Sequence, residues 1–330
     1  MRTATAIANA NIALAKYWGK RPYAGNYPAV PSLSVTLDGL ATTTTVTFDA
    51  ALRSDQFALD GVEQQGKTLD RIAAMLERIR TTMVAPCCAR VVSSNNFPTA
   101  SGLASSASGF AALAAASARA AGLDLDLEDV SDLARRSSAS AARSVYGGYV
   151  SLAAGPTEAS DLALYGMPIA GADALDLRVL VCVVTEAKKA IGSTEAMGRT
   201  ARVSPFYDEW LKVAPMQYAS IYEALLRGDF EGVGRIAEAS ALAMHATAFA
   251  AGIVYATDAT FALLARVREL RAAGTLVFAT MDAGPHVKVL VQVRNAARVR
   301  KALEESAPVV RVIDTAPSPL GVRFALSEGT

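Results

Sequence analysis

Hydrophobic positions along the chain recur with two periods, and the switch between them marks out the elements. Residues 34–48, SVTLDGLATTTTVTF, are rich in Val and Thr and predict strands with a turn at Asp38-Gly39. Residues 68–80 place Leu69, Ile72, Leu76 and Ile79 at helical spacing. Residues 89–94 read as a strand, followed by the polar turn Asn95-Asn96-Phe97-Pro98, a Gly/Ser loop and an Ala-rich helix. A helix over 127–137 and a strand over 145–153 follow. The composition then shifts over 154–175, where Gly and Pro collect. Beyond it, 177–184 reads as a buried strand, and helices are expected at 205–227, 229–245 and 258–273, the last stopped by Gly274. Strands at 275–281 and 287–293, a helix at 295–304 and strands near 309–314 and 321–326 complete the pattern. The expectation is α+β, with two domains, 1–174 and 175–330. No G-x-G-x-x-G follows the first strand, which argues against a dinucleotide-binding fold.

Composition narrows the partners. The 330 residues are 52% hydrophobic and 19% charged with a net charge of +1, which excludes a disordered chain and argues against a broad nucleic-acid or membrane-surface footprint. Cys87, Cys88 and Cys182 make neither a disulfide framework nor a spaced metal site. The first twenty residues lack the pattern of a secretory signal. The most apolar stretch, Ala107 to Gly122, carries Ser108, Ser117 and Arg119, and a membrane span needs about 20 strongly apolar residues. A soluble protein of the reducing cytoplasm is expected.

Four segments carry candidate chemistry. The loop from Pro98 to Gly109, PTASGLASSASG, lies between a strand and a helix. Small residues and a helix N-terminus suit a phosphate, with Ser105, Ser106 and Ser108 offering hydroxyls; a tightly packed helix start reads equally well. The Gly-Lys-Ser/Thr ending of a Walker A loop is missing. The second segment, NANIALAKYWGKR, sets Lys16, Tyr17, Lys20 and Arg21 beside aromatics. It suits an anionic small molecule, although a solvated basic turn is the better reading for Arg21. In SSASAARSVYGG, Arg143 could fork onto a carboxylate or lie on the surface at a helix end. In MDAGPHVKV, Asp282 ends a strand as either a general base or a turn cap. His245 and His286 make no metal site. Lys188, Lys189, Ser193 and Thr194 either meet phosphates or are solvated, and Tyr207 and Trp210 read as core or dimer surface.

Together and in order, NIALAKYWGKR, NYPAVPSLSVTL, NNFPTASGLASSASGFAAL, SASAARSVYGGYV, MHAT and MDAGPHVKVL resemble the diphosphomevalonate decarboxylases of the GHMP kinase superfamily over nearly the whole chain. The resemblance implies a first domain like domain 2 of ribosomal protein S5 and a ferredoxin-like second domain, with the active site between them. It implies ATP-dependent phosphorylation of the tertiary 3-hydroxyl of mevalonate 5-diphosphate. Loss of phosphate and CO2 then gives isopentenyl diphosphate. By position, Asp282 corresponds to the catalytic carboxylate, Lys16 to the lysine beside the reacting groups, and Arg143 to the arginine on the substrate carboxylate, with Asn11 as helper. Tyr17, Lys20, Ser138 and Ser140 correspond to the grip on the 5-diphosphate. Gly102, Leu103, Ala104, Ser105 and Ser106 correspond to the ATP phosphate loop, with Ser193 near the same phosphates. Mg²⁺ and a homodimer are expected on the same ground.

The chain departs from that pattern at three places. Ala139 replaces a Gly between the two serines and is expected to crowd a phosphate. Thr194 stands where bacterial members often carry Arg, and His286 where many carry Asn. These departures keep open a decarboxylase of mevalonate 5-phosphate. A kinase that does not decarboxylate is the weaker alternative.

Overall fold

The computed structural model describes residues 2–97, 105–187, 190–305 and 309–325. In chain order the strands are β1 (Arg2–Ala15), β2 (Ser32–Phe48), β3 (Gln56–Leu59), β4 (Val62–Glu63), β5 (Ala89–Asn95), β6 (Tyr149–Leu152), β7 (Met167–Ala170), β8 (Arg178–Val183), β9 (Val277–Met281), β10 (Val287–Val291), β11 (Arg311–Thr315) and β12 (Arg323–Phe324). The helices are α1 (Lys67–Arg80), α2 (Ser105–Ala121), α3 (Leu127–Ser137), α4 (Ser193–Val203), α5 (Tyr207–Leu226), α6 (Phe230–Ala250), α7 (Asp258–Ala272) and α8 (Ala296–Glu304), with a 3-10 helix at Ala139–Val145. Among the described residues, no helix is long and apolar enough to cross a membrane.

Two sheets organise these elements. The first runs β12-β1-β2-β5-β3-β4, with β6 on the other half of β2 and β7 beyond it. The second runs β11-β8-β10-β9. The C-terminal strand thus returns to pair with β1. Helices α1, α2 and α3 cover one face of the first sheet, where Phe57, Met75, Leu76 and Phe110 meet the buried alanines of α2. Alanine fits because a longer side chain would hold α2 off β1 and β2. A second core joins Ile12 and Leu14 of β1 to Val181 of β8, Phe278 of β9, and Val233 and Ala237 of α6. The far face of the second sheet is closed by α7 and α8.

The chain does not reverse at Asp38-Gly39, as the turn reading expected. β2 is one bent strand. Its register against β1 jumps between the Asn9–Ala41 and Asn11–Thr36 pairs, so residues between them bulge. The bend lets one strand pair with β5 through Thr42–Phe48 and with β6 through Ser32–Val35. It also presents Ser32 and Ser34 to the 3-10 helix. Helix α4 was not foreseen; its inward residues are only Ala196, Met197 and Thr200, too weak a stripe to read from spacing.

Helix α6 packs against both β1 and β9 and ties the sheets together. Its Gly234 abuts Phe278, where a Cβ would fall 2.2 Å from the ring. Helix propensity favours Ala over Gly by about 1 kcal/mol, and overpacking opposes it by about 1–3 kcal/mol. Gly234→Ala is expected to lower the denaturation midpoint in urea; an unchanged or raised midpoint would show that Phe278 moves aside freely.

Candidate active site

β9 delivers Asp282 to the seam between the sheets. The turn after it is closed by backbone, with Gly284 N–H donating to the Asp282 carbonyl at 2.7 Å. The carboxylate is therefore not used as a turn cap. It meets two lysines instead. Lys16 Nζ, at the end of β1, donates to Oδ1 at 2.8 Å and to the Ala13 carbonyl at 2.7 Å. Lys288 Nζ, from β10, forms an ion pair with Oδ2 at 3.2 Å. Both lysine side chains are buried. α6 braces the pair from behind: Ser240 Oγ accepts the Lys16 N–H at 3.2 Å, and His245 Nε2 lies 3.1 Å from the Asp282 carbonyl.

Burial and charge compete at each of these groups. Burial lowers the Lys16 ammonium to about 8 although Asp282 opposes it. Burial alone would raise the Asp282 carboxyl, but Lys16 and Lys288 override it and hold the group below the usual carboxylate range. Burial pushes His245 down to about 4, so it is neutral at pH 7 and turns its Nε2–H to the carbonyl. Burial likewise pushes His286 to about 3; its Nδ1 accepts the Val184 N–H at 3.3 Å.

Arg143 is not a surface residue. It is 1% exposed on the 3-10 helix, donating from Nε to Ser34 Oγ at 3.0 Å and from Nη1 to Ser32 Oγ at 2.7 Å. Burial lowers it to about 10, which leaves it charged at pH 7. Nη2 meets no acceptor among the described residues. Asn11 pins the same helix to β1 through Nδ2, which donates to Ser144 Oγ at 2.7 Å and the Ser140 carbonyl at 3.1 Å. Lys16, Lys288 and Arg143 against one carboxylate leave an excess of positive charge in a buried site, which calls for an anionic ligand.

The remaining candidates fall around this centre. The Tyr17 hydroxyl is buried with no hydrogen-bond partner among the described residues, and burial raises its pKa. The backbone then turns at Gly19, with φ +109; a Cβ there would strike the Tyr207 hydroxyl. Trp210 Nε1 holds the Trp18 carbonyl at 2.7 Å, so Tyr207 and Trp210 belong to the core that shapes this loop. Lys20 Nζ reaches Thr194 Oγ1 at 3.3 Å and is lowered to about 8 by burial. Arg21 is not merely solvated, since its Nε donates to the Gly155 carbonyl at 3.0 Å. Ser138 and Ser140 hydroxyls lie 3.2 Å apart. The Ala139 side chain is buried with Ala142 and Leu152, in an apolar cluster flanked by Tyr17. Ser193 opens α4. Gly102, Leu103 and Ala104 lie outside the described residues, as do Lys188 and Lys189.

Ser105 and Ser106 begin α2, a helix with no acid in its first turn. They border a cavity of about 120 Å³ that also takes in Phe57, Arg71, Asn95 and Phe110. Sequence reasoning missed Arg71, whose guanidinium sits 4.5 Å over the Phe110 ring and donates to the Ser137 carbonyl at 3.2 Å. It also missed Lys288, although a lysine inside the apolar run VKVLV was a usable signal. Ser32, Ser34 and Ser240 gave no signal, because serines in strands and helices are usually bland.

The chain belongs to the diphosphomevalonate decarboxylase family. Residues 8–163 match the diphosphomevalonate decarboxylase-like N-terminal domain, and residues 179–321 the mevalonate 5-diphosphate decarboxylase C-terminal domain. A diphosphomevalonate decarboxylase of Ganoderma lucidum is 36% identical over 87% of this chain and 77% of its own length. The crystal structure of mevalonate diphosphate decarboxylase from Staphylococcus aureus superposes with a TM-score of 0.91 at 36% identity, covering 98% of both chains. A structure of MDDEF in complex with MVAPP, AMPPCP and magnesium gives 0.90 at 37% identity, over 98% of this chain and 99% of that one. The fold is thus the two-domain α+β fold of the GHMP kinases.

Among the described residues Arg143 donates side-chain hydrogen bonds to Ser32 and Ser34 alone, and hydrogen bonds to charged groups contribute about 1.5–3 kcal/mol. The double substitution Ser32→Ala/Ser34→Ala is expected to lower stability by about 2–5 kcal/mol in denaturant unfolding. A loss below about 1 kcal/mol would show that Arg143 is held by packing rather than by the hydroxyls.

Proposed function

We propose that the protein catalyses ATP-dependent decarboxylation of mevalonate 5-diphosphate to isopentenyl diphosphate, releasing ADP, phosphate and CO2. The observation that carries this reading is the buried Lys16–Asp282 pair with Arg143 close by and the site's excess of positive charge. A tertiary hydroxyl is a poor leaving group and phosphate a good one. Phosphorylation therefore prepares the carbon that must accept the electrons of the departing carboxylate.

Asp282 accepts a hydrogen bond from the 3-hydroxyl and aims its oxygen at the phosphoryl group. A carboxyl held so acidic is a weak base. It suffices because in a loose transition state the hydroxyl proton leaves late, once the new P–O bond has made it acidic. Lys16 balances charge on the transferring group. Arg143 holds the substrate carboxylate through Nη2 until the C–C bond breaks, and Asn11 fixes the 3-10 helix that carries it. Tyr17, Lys20, Ser138 and Ser140, with Arg71 added, grip the 5-diphosphate.

Among the described residues no group of three or more His, Cys, Asp or Glu side chains could hold a metal ion. The acid-free α2 N-terminus fits a triphosphate that brings its own Mg²⁺, with Ser105 and Ser106 placed to meet its oxygens and Ser193 near them. ATP supplies the phosphoryl group, and Mg²⁺ neutralises its charge. The cavity lined by Phe57 and Phe110 is the place for the purine.

A second reading, mevalonate 5-phosphate as substrate, rests on Thr194 giving Lys20 a hydroxyl rather than another cation. The buried methyl of Ala139 gives it no support, since that side chain packs into the core rather than into the anion site.

Coupled ADP and CO2 release, compared between the 5-phosphate and the 5-diphosphate, decides between the readings; ADP without CO2 would overturn both. Asp282→Asn should lower kcat roughly 10²–10⁴-fold with little change in ATP affinity. The pH dependence has a definite sign. Lys16 and Lys20 lie near 8 in the free protein, so kcat/KM should fall as pH rises through about 8 and they lose their protons. A profile flat to pH 9.5 would remove the charged lysines from the mechanism.

A further inference from the structure

Lys288 is fully buried in the five-residue strand VKVLV, every residue of which is inaccessible to solvent. It faces Thr280 across the β9–β10 pair, on the side of the second sheet that turns toward β1. A buried ammonium needs an anion, and Asp282 Oδ2 lies 3.2 Å away. Yet Asp282 already has a partner of equal charge in Lys16. Charge balance alone calls for one lysine at this carboxylate, and the second overcompensates it. A methionine would fill the same space without that penalty.

The two lysines engage the carboxylate differently. Lys16 donates to the Oδ1 edge at 2.8 Å, whereas Lys288 stands 3.2 Å from Oδ2, which is enclosed. Oδ2 is thus the enclosed oxygen, and the exposed edge of the carboxylate is the one that carries Oδ1. Resting on the reaction assigned above, we infer that Lys288 is a positioning residue. It keeps Asp282 ionised from the enclosed Oδ2 side and leaves the exposed Oδ1 edge to accept the substrate hydroxyl. The other elements packed around Asp282 supply no equivalent. α6 contributes neutral His245 on the backbone carbonyl, and the 3-10 helix contributes Arg143, whose hydrogen bonds go to Ser32 and Ser34. His286, next to Lys288 on the same strand face, is neutral at pH 7.

The test is the acid limb of kcat/KM, read from ADP release with mevalonate 5-diphosphate, in Lys288→Met and Lys288→Gln. Met fills the buried site without a polar group, and Gln keeps a donor at similar reach. With one cation gone, the limb should move up by about one pH unit or more. kcat should fall about 10–100-fold, with the KM for ATP within about threefold. Lys288→Arg should return the limb toward its wild-type position. An acid limb unmoved in either folded neutral variant overturns the inference, and so does failure of both to fold, which would make Lys288 a purely structural ion-pair member. A wild-type protein that releases no ADP with this substrate sinks the assigned reaction; wild-type turnover with an unmoved limb sinks the Lys288 inference alone.

Discussion

The structure is arranged around one ion pair that neither sheet could hold by itself. Lys16 ends β1 of the first sheet and Asp282 ends β9 of the second. Lys16 is a buried charge and Asp282 a partly buried one, and the lysine alone would carry a penalty of several kcal/mol. The two therefore favour the same docking of one sheet against the other. α6 carries the consequence in its sequence: Ser240 and His245 serve the two backbones, while Val233 and Ala237 on the same helix fill the core between the sheets. Packing and chemistry are not separable along this helix. A shift of α6 to relieve a packing defect would also move the groups that orient the Lys16–Asp282 pair.

Much of this was legible in the sequence, for reasons that differ by element. Helices α1, α3 and α7 announce themselves by period and by their ends, and the strands of the second sheet by apolar runs between turns. The bend in β2 was not legible, because Asp38-Gly39 reads as a hairpin turn whether the chain reverses or only bulges; the partner strands decide, and they lie far away in sequence. Lys16, Arg143 and Asp282 were found through ordered motifs. Residue type alone favoured the bland alternatives for Arg143 and Asp282; burial overturned the first, and the two lysines on the carboxylate the second. The serines that hold Arg143 stayed hidden, since a hydroxyl becomes informative only when a buried guanidinium is seen against it.

The departures from the family pattern also change meaning in three dimensions. Ala139 looked like an obstruction to a phosphate, but its methyl is part of an apolar cluster with Ala142 and Leu152. His286 stands where many members carry Asn. Burial keeps it neutral, and its Nδ1 caps the end of β8 through the Val184 N–H, a backbone role rather than a change of chemistry. Thr194 is the departure that reaches the site, through Lys20. A hydroxyl there gives the ammonium a neutral partner, so Lys20 keeps its charge available to an incoming anion.

The depressed lysines then tie binding to protonation. In the free protein burial pushes Lys16 to about 8, and Arg143 and Lys288 add to that depression. An anion brought into the same site reverses the balance, because its charge favours the ammonium and raises the pKa back toward 10.5, the ordinary value for lysine. Between those limits the liganded site holds a proton that the free site has lost. An anionic ligand thus helps to create the charged form of Lys16. A site left with excess positive charge is poorly satisfied when empty and well satisfied when occupied, which is how binding energy from remote anionic groups can be applied at the reacting hydroxyl.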